Sequence, residues 1–132
     1  MTVLQPPGWP RPKGFAQGIA AEGRYAVIAG QVGWNPVTER FETDEFAGQV
    51  RQALANIVAV LAAAGGRAEH IVRLTWFVTE KSEYLGDLKG VGEAYRAVLG
   101  RHYPAMTLVE IGGLVEDRAK VEIEATAVLP KA

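Results

Sequence analysis

The chain contains no cysteine, which excludes a disulfide framework, a thiolate zinc site and a cysteine nucleophile. It has only two histidines, His70 and His102, too few and too far apart for a histidine-rich metal site. No run approaches the ~20 apolar residues of a membrane-spanning helix. The opening MTVLQPPGWPRPKG has no basic region leading into an apolar stretch, as a secretory signal would. Charge of one sign is also lacking: 14 Lys and Arg stand against 15 Asp and Glu, a net charge of −1 with no block of like sign. Nucleic-acid binders usually carry a basic stripe, so no nucleic-acid partner is expected. The dinucleotide, phosphate-loop, nucleophile-elbow and zinc-protease motifs are all missing. The expectation is a soluble cytoplasmic protein with no metal and no membrane contact.

What is present suits one compact domain. The 132 residues are 48% hydrophobic and 22% charged, and a chain of this size can bury roughly two thirds of its unfolded surface. Pro6, Pro7, Pro10 and Pro12 crowd the start; proline fixes φ and removes a donor. Residues 1–13 are therefore read as an extended proline-rich arm and 14–132 as a single domain. Trp9 gives the arm an apolar anchor with which to pack on the body or on a neighbouring subunit.

Gly18–Ala21 and Tyr25–Gly30 read as strand, turn and strand, with Gly23 offering the positive φ of a hairpin. A loop follows over Gly33–Thr38, where Asn35-Pro36 marks a turn. Phe46, Val50, Ala53, Leu54, Ile57, Val58 and Leu61 recur at helical spacing and predict a helix over Asp44–Ala64. Thr43 is its expected cap and Gly65-Gly66 its end. His70–Thr79 is rich in strand formers. A second helix is predicted over Ser82–Leu99, weakened by Gly86, Gly90 and Gly92. Strands over Met106–Gly112 and Lys120–Leu129 close the chain. In the last, Val121, Ile123, Ala125 and Ala127 alternate with Glu122, Glu124 and Thr126, one face core and one polar. The order ββαβαββ indicates an α+β sheet with two helices on one face.

Some features invite a chemical reading. Gly30-Gln31 ends an apolar strand, where backbone N–H groups can meet a ligand. Glu122 and Glu124 share a strand face; they are merely solvated if that face is open, and able to orient a water if it lines an inter-subunit cleft. His102-Tyr103-Pro104-Ala105-Met106 enters a strand through a proline. His102 reads as a surface residue.

Taken in order, Phe15-Ala16-Gln17-Gly18, Ala29-Gly30-Gln31-Val32, Gln49 to Ile57, Leu61 to Gly66, Tyr103-Pro104-Ala105 and Val121 to Val128 resemble the RidA/YjgF family of imine and enamine deaminases over about Gly14–Leu129. The resemblance implies a chorismate-mutase-like fold, a homotrimer built around a central barrel, and ligand clefts between adjacent subunits. It also implies hydrolysis of 2-imino or 2-enamino acids to 2-keto acids and ammonia, with no cofactor. Carried across, the catalytic glutamate falls on Glu122. The ligand-binding positions fall on Phe15, Gln17, Gly30, Gln31, Trp34, Ala105 and Met106.

The departures are as informative as the matches. The arginine that grips the substrate carboxylate appears here as Met106, whose thioether cannot replace a guanidinium fork. The usual tyrosine is Phe15, and the asparagine that some members carry in the second helix is Gly92. A pocket formed by Phe15, Met106 and Trp34 would favour a flatter, less polar ligand. Arg24, Arg101 and Arg118 are the expected sources of a displaced cation. Two functions remain open at this point: a hydrolytic deaminase with altered substrate choice, or a non-catalytic trimer that binds a small molecule or a protein in the same cleft.

Overall fold

In the computed structural model, which describes residues 1–131, the apolar stripe of the first long helix is the centre of the molecule. This helix, α1 (Phe46–Ala62), buries Phe46, Val50, Ala53, Leu54, Ile57 and Leu61. Each of these side chains except Ala53 contributes about 1.5–3 kcal/mol by leaving water. The helix is shorter at both ends than the spacing predicts. Thr43 Oγ1 accepts the Glu45 N–H at 3.0 Å, a local turn that holds Asp44 and Glu45 outside the helix. Asp44 instead meets Arg118 at 2.8 Å. At the other end Gly65 takes a φ of 78°, and the Gly66 N–H closes back on the Leu61 carbonyl at 3.1 Å. That left-handed turn favours glycine.

Facing α1 is a mixed four-stranded sheet, built from β3 (Arg24–Val32), β4 (Ile71–Val78), β5 (Ala105–Glu110) and β6 (Val121–Leu129) in the order β3-β6-β4-β5. Strand β6 pairs antiparallel with both β3 and β4. Strands β4 and β5 are parallel, which requires a crossover. The crossover is supplied by α2 (Lys81–Leu85) and α3 (Leu88–Leu99). The single helix expected over Ser82–Leu99 is thus two. Gly86 weakens the join, and the Asp87 side chain accepts the Gly90 N–H at 3.0 Å to start α3 afresh.

The expected hairpin is also revised. Both strands exist, but β2 (Gly18–Ala20) pairs with β1 (Thr2–Leu4) at the head of the chain, whereas β3 pairs with β6. Gly23 has the predicted positive φ, but it serves a close approach: a Cβ there would collide with the Leu129 carbonyl at the end of β6. The proline-rich segment is the long connection between β1 and β2, so its first residues are tied to the body by a strand pairing.

Two buried amides lock α1 to the sheet. Gln49 is fully buried; its Nε2 donates to the carbonyls of Thr43 (3.1 Å) and Arg118 (3.0 Å), and its Oε1 accepts the Lys120 N–H at 2.8 Å. Asn56 Nδ2 donates to the carbonyls of Val32 (3.2 Å) and Trp34 (2.9 Å). These amides complete backbone groups at the end of β3 and the entry to β6. Removing Gln49 leaves three backbone groups short of a partner, each costing about 1–3 kcal/mol if it stays dry. Gln49→Ala is expected to lower unfolding stability by about 3 kcal/mol or more, and exposed Arg51→Ala by about 0.5 kcal/mol or less. Urea titrations of the two variants beside the parent protein check this.

Candidate functional site

The sheet has two unlike faces. On β6, Val121, Ile123, Ala125 and Ala127 are buried in the core, and strand alternation sends Glu122, Glu124 and Thr126 to the opposite face. Across that open face Phe77 pairs with Glu122 and Thr75 with Glu124. Tyr25 and Val27 of β3, 75% and 79% exposed, share it.

A bulge shapes the Glu122 end. The β3–β6 register slips between Ile28 and Gln31, so β3 carries one extra residue there. Gly30 lies in the bulge, and a Cβ at this position would collide with the Glu122 carboxylate. The absent side chain is what gives Glu122 its seat. Glu122 is half-buried. Gln31 folds back within the bulge, its Nε2 donating to the Ala29 carbonyl at 3.2 Å.

On the helix side lies a hollow of about 530 Å³ between β4–β5 and α2–α3, rimmed by Lys13, Gly14 and Phe15. Phe15, Gly92 and Met106 all line it, so the three departures from the family pattern are brought together. The wall is aromatic. Trp76 and Tyr95 stack with centroids 6.4 Å apart, and Tyr95 and Tyr103 at 5.4 Å with planes 10° apart. Tyr95 donates to the His102 carbonyl at 2.6 Å. Burial, with Tyr103 beside it, holds the Tyr95 phenol well above its usual range, so it stays a neutral donor.

Ala105, next to Met106, pairs with Arg73 on one side and with Ala16 on the other. That contact brings the Phe15–Gln17 segment to the edge of β5. Gln17 itself is exposed and does not line the hollow.

Three expectations need correction. Within one copy Trp34 does not share the hollow with Phe15 and Met106. It packs on Phe41 at 5.7 Å in a separate depression with Glu39 and Arg118. The cause is the Asn35 turn: Asn35 Oδ1 accepts the Val37 and Thr38 N–H groups and curls the loop away. His102 is not a free surface residue. Its Nε2 donates to the Ile71 carbonyl at 2.7 Å and ties the end of α3 to the start of β4. None of the expected cations reaches the hollow. Arg118 is held by Asp44 and the Phe41 carbonyl, Arg24 reaches the Ala64 carbonyl at 3.4 Å, and Arg101 lies exposed beyond α3. The cations that border the hollow are Lys13 and Arg96.

Residues matched to one ligand site thus fall on two faces of a single copy. Gly30 and Glu122 adjoin on the open face, while Phe15, Gly92 and Met106 meet in the hollow behind. Among the described residues no cluster of His, Asp or Glu is able to hold a metal ion, and no helix is long and apolar enough to cross a membrane.

This is a small α+β protein whose helix-backed sheet carries a half-open aromatic hollow and a carboxylate-bearing outer face. The family model described as endoribonuclease L-PSP matches residues 10–129, and the chain belongs to this family, that of the RidA/YjgF proteins. It is 37% identical over 117 residues, 86% of each chain, to a 2-iminobutanoate/2-iminopropanoate deaminase of Escherichia coli strain K12. Among solved structures it is similar to the Rid family protein YyfB of Yersinia pestis, with a TM-score of 0.83, 30% identity and coverage of 97% of this chain and 98% of that one. It also resembles E. coli TdcF with bound serine: TM-score 0.69, 28% identity, and coverage of 98% and 99%.

The Tyr95 phenol yields a pH prediction. An unfolded tyrosine ionises near pH 10, while the buried one keeps its proton to higher pH. Above that point the folded state binds more protons than the unfolded state, so stability falls as pH rises. The Tyr95 contribution is fully present below about pH 9 and declines above about pH 10, by up to about 1.4 kcal/mol per pH unit. Denaturant midpoints between pH 8 and 11.5 are expected to fall more steeply in the parent protein than in Tyr95→Phe.

Proposed function

We propose that this protein is a hydrolytic deaminase of small imines or enamines, working in a cleft completed by a neighbouring copy in a homotrimer. The observation that carries the reading is the seating of Glu122 on Gly30, on the face away from the Phe15–Met106 hollow. A second copy is then needed to bring carboxylate and hollow together. The exposed Tyr25 and Val27 on the same face as Glu122 favour such burial, since large apolar side chains grouped on a surface mark contact sites. The similarity to a protein named 2-iminobutanoate/2-iminopropanoate deaminase supports the reaction class.

The chemistry asks little of the protein. A C=N carbon is already electrophilic, so orientation and proton handling are most of what remains. Water adds its oxygen to that carbon while Glu122 takes the proton released. Glu122 returns that proton to the nitrogen to give a carbinolamine, then carries the hydroxyl proton to the amino group as the C–N bond breaks, and a carbonyl compound and ammonia leave. No cofactor is required. With Met106 in place of an arginine, the hollow meets its substrate chiefly through apolar and aromatic surface, which alters the choice of substrate.

A second reading is a trimer that binds in this cleft without turnover. It is favoured by the joint presence of Phe15, Gly92 and Met106, which removes three polar contacts expected from the family.

The deciding experiment generates 2-imino acids with an amino-acid oxidase and follows their loss against trapping by semicarbazide. Turnover is expected in the parent protein and is lost in Glu122→Gln. In Gly30→Ala the added methyl displaces the Glu122 carboxylate, and turnover is expected to fall at least tenfold with the fold retained. Unchanged turnover in Glu122→Gln would refute the mechanism, and ligand-induced thermal stabilisation without any turnover would favour the second reading. Light scattering is expected to give the mass of a trimer for the parent protein and a smaller mass for Val27→Glu, which buries a charge at the contact.

A further inference from the structure

The hollow lacks the arginine that the resemblance implies at Met106, and Arg96 borders it in a different place. Arg96 lies on α3, one helical turn after Gly92. Helical side chains tilt back toward the N-terminus, so Arg96 runs over residue 92, where there is no side chain to meet it. A Cβ at Gly92 would come within 3.0 Å of Arg96 Nη1 and 3.6 Å of Cζ and Nη2. The guanidinium therefore rests on the bare backbone of Gly92, at the wall of the hollow. Among the described residues it has no acceptor: the ion pairs of the chain are made by Arg67, Arg118 and Lys120. Its fork of N–H donors is unused.

The aromatic lining beside it explains what such a cation is for. Trp76, Tyr95 and Tyr103 form a continuous stack, and Met106 offers a soft thioether that packs well on aromatic rings. The buried indole Nε1 of Trp76 is the single buried side-chain donor without a partner among the described residues, and Trp76 lines this same hollow. A purely apolar ligand leaves that donor unsatisfied.

We propose that Arg96, seated on Gly92, is the carboxylate-binding residue of this hollow in place of Met106, and that it selects planar carboxylates with an aromatic or conjugated body. Two of the three departures from the family pattern are then coupled. Gly92 makes room for the guanidinium, and Met106 yields its position to the body of the ligand. The carboxylate anchor moves from strand β5 to helix α3, so the ligand lies along the aromatic stack. The substrate class rests on the deaminase reading above; the binding role of Arg96 does not.

Phenylpyruvate, the keto acid formed by hydrolysis of the phenylalanine-derived imine, is the binding probe, with pyruvate and methyl phenylpyruvate as controls. Calorimetry on the full chain is expected to show phenylpyruvate binding more tightly than either control. A hydrogen-bonded charge pair supports a loss of about ten- to hundredfold in Arg96→Gln. Gly92→Asn, which pushes the guanidinium off its seat, is expected to weaken binding in the same direction. Arg101→Gln is expected to match the parent protein, and Met106→Arg placed on Arg96→Gln to recover carboxylate binding. In turnover, Arg96→Gln is expected to raise KM for the phenylalanine-derived imine while kcat is largely kept. Equal affinity for phenylpyruvate and its ester, or equal affinity in Arg96→Gln and the parent, would overturn the proposal. Binding through Arg96 with no imine turnover would refute the deaminase reading and leave the role of Arg96 standing.

Discussion

The seating of α1 by Gln49 is the contact on which the rest of the molecule depends. A helix that buries an apolar stripe is free to slide along a sheet, because burial is non-directional. A fully buried amide is not free in this way: its donors and acceptor must all be met where it stands. Gln49 meets them at the carbonyls of Thr43 and Arg118 and at the N–H of Lys120. That fixes the approach of the chain to β6, and so where Glu122 begins its alternation. Asn56 does the same at the exit of β3. Gly33 completes the arrangement, since any Cβ there would collide with the backbone of Gln49.

From that frame the division of the site follows. The sheet has one face covered by α1 and α3 and one left open, and residues two apart on a strand share a face. Met106 and Leu108 pack toward the core cluster, whereas Glu122 alternates with the core residues Val121 and Ile123. They cannot meet through their own sheet. The proposed cleft between copies would reconcile this geometry with the resemblance, which implies one ligand at both positions. The crossover from β4 to β5 through a broken helix gives the hollow its depth. The break at Gly86–Asp87 sets α2 at an angle that brings Tyr84 edge-on to Trp76, 6.4 Å away.

Much of this was legible in the sequence. The stripe on α1, the alternation on β6 and the α+β order follow from local periodicity, which reports burial one element at a time, and the Asn35 turn from its Asn-Pro pair. The split of the second helix is half visible in its glycines, but the Asp87 cap that makes the break falls inside the predicted helix. The β1–β2 pairing was hidden because a three-residue strand has no period to detect. Gln49 and Asn56 appeared only as members of a family run; nothing in their spacing marks them as buried, because an amide on the core face of a helix looks like an error until its backbone partners are known. Within one copy Trp34 lies apart from the Phe15–Met106 hollow, because a turn is legible in sequence but the direction in which it sends the loop is not.

The sequence by itself therefore determined the class of fold, the family, the carboxylate at Glu122 and the loss of the expected arginine at Met106. These are properties of residue type and order. Only the tertiary structure decided that Gly30 exists to seat Glu122, that the matched site divides between two faces, and that Arg96 rather than Arg24, Arg101 or Arg118 borders the hollow. The reason is that a charge acts through distance. Whether a cation four residues from a glycine faces a ligand is set by the tilt of a helix and by the space a missing side chain leaves, and neither is written in the order of the residues.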